Sequence, residues 1–224
     1  MATSLVTNVV RGRQEPDRLM LLIHGKGADE HDLEALIPHL DPEGRFLTVL
    51  PRAPLPFPPG WEWYRTEGIP RGGPEFVSSV DAVDDLLDAS CAEYGFDRSQ
   101  AIVAGFSQGC GLTLALGLRR SGRPRPAGLL GMSGFLPDRD DLDYDFSAAP
   151  PVFIQHGTAD PLISVEEGRR TVTRLGAEEV PVVYREYPMA HQVSMESVRD
   201  AMVWLSLVLA GDRPTEPVPD FAAS

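Results

Sequence analysis

Ala101-Ile102-Val103-Ala104-Gly105-Phe106-Ser107-Gln108-Gly109, running on into Cys110 to Arg120, is the stretch whose reading decides the fold. A short apolar run leads into a Gly-x-Ser-x-Gly pentapeptide, and a helix-like segment follows. That context carries more than the pentapeptide does. A serine hydroxyl is a poor nucleophile until the backbone lifts it clear of the chain and a base takes its proton. A tight strand-to-helix turn does the lifting, and it leaves no room for side chains at Gly105 and Gly109.

Other apolar runs of strand length lie on either side. Leu19–His24, Phe46–Leu50, Gly128–Met132, Val152–His156 and Val182–Tyr187 are nearly continuous in apolar character, as strands buried on both faces should be. Helical patterns separate them. Phe76, Val80, Val83, Leu87 and Tyr94 recur at helical spacing before Gly95, a plausible C-cap. Ser164-Val165-Glu166-Glu167 has the form of a capping box, and Val198, Met202, Leu205 and Leu209 stripe a last helix ended by Gly211. Strands alternating with helices read as an α/β fold with a mostly parallel central sheet and helices on both faces. A first strand near Leu5–Val10 would add an antiparallel edge.

Residues 1–210 read as one domain, and 211–224, with Pro214, Pro217 and Pro219, as a flexible tail with no core to join. Pro51 to Pro74 holds seven prolines and four glycines around Trp61, Trp63 and Tyr64. Loops this long inside a compact domain are usually functional, and aromatics need something to pack on, so this stretch reads as a substrate-pocket wall.

Composition excludes several classes of function. The balance of 33 acidic against 20 basic residues gives a formal charge of −13, which argues against nucleic acid and anionic membrane surfaces as partners. Two cysteines, Cys91 and Cys110, build no disulfide framework and carry no metal-ligand spacing, so a reduced, cytoplasmic setting is expected. No signal peptide is expected from Met1-Ala2-Thr3-Ser4-Leu5, and no apolar run is long enough to span a membrane. Neither a metal cluster nor a nucleotide fingerprint is visible, so no cofactor is expected.

An activated serine needs a base, and the base needs an acid to hold its tautomer. In a sheet-top site the partners follow the nucleophile in the order serine, acid, histidine. Of the five histidines, only His156 and His191 come after Ser107. His156 leaves almost no room for an acid before it except in the 138–145 loop, so His191, just past the last strand, is the better base. For the acid, Asp160 in a short loop after Val152–His156 competes with Asp138, Asp140, Asp141, Asp143 and Asp145. That dense run reads as a solvated loop. The oxyanion formed during attack calls for backbone N–H donors. Gln108, at the start of its helix, is one candidate, and the glycine-rich segment His24-Gly25-Lys26-Gly27-Ala28-Asp29 fits the other.

Taken together, His24-Gly25-Lys26-Gly27-Ala28-Asp29, Gly105-Phe106-Ser107-Gln108-Gly109, His156-Gly157-Thr158-Ala159-Asp160-Pro161 and Ala190-His191 resemble the phospholipase/carboxylesterase family of α/β-hydrolases. The resemblance spans roughly residues 18 to 210. It implies Ser107, Asp160 and His191 as a catalytic triad and the Lys26 and Gln108 N–H groups as the oxyanion hole. It further implies Trp63 and Tyr64 as an aromatic pair near the acyl site, and a small-molecule ester or thioester as substrate. Members of this size occur as monomers and homodimers. The family usually has an apolar residue where Lys26 stands. Its side chain is therefore either a solvated lysine or a positive charge at the cleft mouth that favours acidic substrates. Carboxylesterase activity is the leading expectation, with thioesterase or lysophospholipase activity on the same triad as variants. A catalytically silent binding module is the alternative outside enzymes.

Overall fold

The computed structural model describes residues 5–66 and 73–221. Among the described residues, nine strands and five α-helices follow one another: β1 (Thr7–Arg11), β2 (Arg18–Ile23), α1 (Ile37–Leu40), β3 (Phe46–Pro51), β4 (Leu55–Phe57), β5 (Gly60–Glu62), α2 (Glu75–Tyr94), β6 (Ala101–Phe106), α3 (Gln108–Leu118), β7 (Gly128–Met132), β8 (Val152–Gly157), α4 (Val165–Ala177), β9 (Val182–Tyr187) and α5 (Met195–Leu209). Seven strands form one sheet in the order β1-β3-β2-β6-β7-β8-β9. All neighbours pair in parallel except β1, which runs antiparallel along β3 and caps that edge. This is the mostly parallel sheet with helices on both faces that the alternation of strands and helices implied, and the α/β-hydrolase fold that the resemblance implied.

The period of two along a strand sorts the core into two layers. Leu19, Leu21 and Ile23 of β2, with Ala101 and Val103 of β6, face α2, α3 and α4. Met20 and Leu22, with Ile102 and Ala104, face α1 and α5. The helices answer with stripes of their own. Phe76, Val80, Val83 and Leu87 of α2 enter the first layer, and Val198, Ala201, Trp204, Leu205 and Val208 of α5 enter the second. Helix α3 runs between sheet and α2 and is buried on every side, so its sequence shows no polar face. Gly95 closes α2 at φ 77°, and Ser164 caps α4 by accepting the Glu166 N–H; Glu167 turns out to Arg170 instead of completing a capping box.

Two expectations need correction. The Pro51–Pro74 stretch, of which 67–72 lie outside the described residues, contains a two-stranded hairpin, β4–β5, that its proline content hid. The C-terminal segment does find a core. The Glu216 N–H donates to Val182 O at 3.0 Å, and Arg185 grips the Glu216 carboxylate through both of its terminal nitrogens. Val218 and Phe221 pack against the first layer, with the Phe221 ring edge-on to Tyr184 and under the Arg169 guanidinium. Prolines had signalled only that this segment is not helix or inner strand. An edge strand with free carbonyls gives it something to pair with.

Candidate active site

At the C-terminal edge of β6 the chain turns into α3 through Ser107, which is held at φ 55° and ψ −115°. That conformation costs a non-glycine residue about 1–3 kcal/mol, and it persists because its surroundings admit nothing else. The Ser107 N–H donates to Met132 O at 2.9 Å on neighbouring β7. A Cβ added to Gly105 would sit 2.2 Å from Gly109 O, and one added to Gly109 would sit 2.2 Å from Ile23 O. Both glycines of the pentapeptide are thus required by close backbone approach. Gln108 is the first residue of α3, where peptide N–H groups have no intrahelical acceptor.

The loop after β2 lies against this turn. A Cβ on Gly25 would come within 3.1 Å of the Ser107 Cβ, so glycine lets the 25–28 segment pass beside the serine. Its path is fixed from several directions. The Gly27 N–H donates to Trp61 O at 2.8 Å and the Trp61 N–H to Ala28 O at 2.9 Å, binding the loop to β5. His24 is buried; its Nε2 accepts the Ala53 N–H at 3.1 Å, so Nδ1 carries the proton and donates to Gly25 O at 2.6 Å. Burial depresses the pKa of this ring, although its contact with Gly25 O works the other way.

Acid and base come from the loops after β8 and β9. The imidazole of His191 lies 2.7 Å, through Nδ1, from Asp160 Oδ2, and its ring stands 4.8 Å from that of Phe106, the residue before Ser107. Gly157 makes this approach feasible, since a Cβ there would stand 2.3 Å from Met189 O. Asp160 has no exposed side-chain surface. Its Oδ1 accepts the N–H groups of Leu162 and Ile163, each at 2.9 Å. Burial by itself would raise this carboxyl, but the Ile163 N–H, the His191 ring and the Leu162 N–H outweigh it and hold the pKa below the usual value.

The acidic run of the 138–145 loop turns elsewhere. Asp141 pairs with Arg139, Asp143 and Asp145 with Arg120, and Asp138 with Arg174. Among the described residues, no group of three or more His, Cys, Asp or Glu side chains could hold a metal ion, and no helix is long and apolar enough to cross a membrane.

Trp63, which the resemblance implied to stand near the acyl site, is buried and presents no surface to a pocket. It is 0% exposed, and its indole donates to His24 O at 2.9 Å. The Gln108 side chain accepts the Trp63 N–H at 2.9 Å and donates to Tyr64 O at 2.7 Å. Tyr64 is buried too, edge-on to Phe76. The pair braces the loop after β2 from behind. Lys26 corrects a second expectation. Its Nζ lies 3.0 Å from Oε2 of the buried Glu62, 4.3 Å from the centre of the Phe57 ring and 3.1 Å from Thr66 Oγ1. The ammonium is neither a solvated lysine nor a bare charge at the cleft mouth. Sequence reasoning missed Glu62 and the Gln108 side chain, since neither has a partner close in sequence.

Residues 5–209 match the family model described as phospholipase/carboxylesterase. The chain is 27% identical over 237 aligned positions to acyl-protein thioesterase 1 of Mycosarcoma maydis, covering 92% of this chain and 98% of that protein. It is 29% identical to acyl-protein thioesterase 1 of Debaryomyces hansenii, over 67% of this chain and 68% of that one. The crystal structure of the Bacillus cereus carboxylesterase superposes with a TM-score of 0.79 at 24% identity, covering 91% of this chain and 94% of that one, which shows a shared fold.

Proposed function

The chain belongs to the phospholipase/carboxylesterase family of serine ester hydrolases, and we propose that it cleaves its substrate through an acyl-enzyme formed on Ser107. In this reading His191 takes the Ser107 proton as the hydroxyl attacks the carbonyl carbon, then returns it to the departing alcohol. Asp160 holds the ring tautomer and stabilises the imidazolium. The N–H groups of Lys26 and Gln108 receive the negative charge that builds on the carbonyl oxygen. Water, deprotonated by His191, then releases the acid. The observation that carries this reading is the 2.7 Å contact between His191 Nδ1 and the buried Asp160, set beside a serine at φ 55°.

A carboxylic ester is the proposed substrate class. A thioester is the second reading, favoured by the likeness to proteins named acyl-protein thioesterase, and it would pass through the same steps. Two buried free cysteines support work in the reducing cytoplasm. The test is hydrolysis of a p-nitrophenyl ester series from acetate to palmitate beside matched acyl thioesters, with Ser107→Ala as control. Ester turnover that vanishes in the variant supports the reading. A higher kcat/KM on the thioesters would move the assignment to thioesterase, and turnover that persists in Ser107→Ala would remove it.

A further inference from the structure

His156, the penultimate residue of β8, stands behind the acid of the site and has no assigned part in the chemistry. Its side chain is 0% exposed. Nε2 lies 2.9 Å from Ile163 O and 3.4 Å from Asp160 Oδ2, the same carboxylate oxygen that His191 contacts from the other side. A carbonyl only accepts, so Nε2 carries a proton and donates it to Ile163 O. Nδ1 has no hydrogen-bond partner among the described residues. The reason is steric. Helix α4 presses Gly168 onto that edge of the ring, where an added Cβ would stand 2.9 Å from Nδ1 and 3.2 Å from the Tyr184 hydroxyl. The ring is therefore wedged between a helix backbone and the 160–163 turn, with its Nε2 donor aimed at the turn.

We propose that His156 is a positioning residue for Asp160, a role that rests on the triad reading above. Its Nε2–H holds the Ile163 carbonyl while the Ile163 N–H holds Asp160 Oδ1. The turn is thereby closed from both sides, and Oδ2 is left pointing at His191. A buried histidine that leaves one ring nitrogen unpaired pays for it in desolvation, and the turn geometry is what that cost secures. The charged groups around the ring are Asp160 on its own loop and, from β9, Glu186, which is itself held by Arg169 and the Tyr184 hydroxyl.

The experiment measures kcat, KM and the pH profile of kcat/KM on a p-nitrophenyl ester for five variants. These are His156→Leu, His156→Gln, Gly168→Ala, Ser107→Ala and Asp160→Asn. His156→Leu removes the donor, and kcat is expected to fall on the order of tenfold to a hundredfold with KM nearly unchanged. The acid limb of the profile should move to lower pH, because an imidazolium facing a misplaced carboxylate is less stabilised. His156→Gln retains an N–H near the Nε2 position and should recover most of the rate. Gly168→Ala leaves His156 in place but pushes its ring, and it should move the same limb although alanine favours the helix. A folded His156→Leu protein with the kcat and acid limb of the parent would overturn the proposal. Should that variant not fold, an unchanged kcat and limb in Gly168→Ala would overturn it equally. Turnover surviving in Ser107→Ala would instead bring down the triad reading on which the role depends.

Discussion

Asp160 is where folding and chemistry share one residue. Its carboxylate accepts two peptide N–H groups and the His191 ring, and these hold its pKa below the usual value against the pull of burial. A group whose folded pKa is depressed stabilises the fold above its unfolded value, about 3.9 for aspartate, and loses that stabilisation as the pH falls through the folded value. The stability gap between the parent protein and Asp160→Asn should therefore be constant near neutral pH and shrink below about pH 4. Urea unfolding of both proteins at pH 7 and pH 3 checks this, and a gap that widens in acid would contradict it. The same substitution leaves the ring of His191 without its orienting anion, so kcat is expected to drop by about 10⁴-fold. Ser107, Asp160 and His191, the proposed triad, could be singled out in the sequence because each lies just past the end of an apolar strand. The bracing part of Trp63 was not legible, because its indole serves a carbonyl, that of His24, 39 residues away in sequence.

At the scale of elements, the loop after β2 is held by a hairpin that the sequence did not announce. Strands β4 and β5 are three residues each, with Pro56 inside β4 and Pro58 and Pro59 in the turn between them, so neither the alternation nor the length of a strand was there to read. The Lys26–Glu62 contact ties hairpin to loop, and it is an ion pair rather than an aligned hydrogen bond, since Glu62 Oε2 has no hydrogen-bond partner among the described residues. Lys26→Leu leaves a carboxylate that is only 5% exposed facing a hydrocarbon, at an expected cost of about 2–3 kcal/mol, discounted because Lys26 is itself 22% exposed. The double variant Lys26→Leu/Glu62→Leu should regain most of that in a denaturant titration. A single variant as stable as the parent would show that the pair is idle. Relative activity of Lys26→Leu on neutral and acidic esters should match that of the parent, because the ammonium is already paired.

Across the whole molecule, the seven-stranded sheet has one edge closed by β1 and the other by the segment around Glu216. The parallel order was readable from near-continuous apolar strands separated by helices. The closing of the β9 edge was not, because it depends on single backbone contacts and on two apolar residues, Val218 and Phe221, isolated among prolines. A chain ending at Asp212 would uncover that edge and the ring of Tyr184. It is expected to keep the parent's kcat but to associate as its concentration rises, which analytical ultracentrifugation would detect. Sedimentation identical to that of the full chain would mean that the segment merely lies on the surface.

The central claim is that Ser107 is the nucleophile. Intact-mass and peptide-mass analysis after treatment with a fluorophosphonate tests it most directly. One adduct per chain on the peptide that contains Ser107, absent from Ser107→Ala and slowed in His191→Ala, is the expected result. An adduct on another residue, or none on a folded chain that still hydrolyses esters, would contradict it.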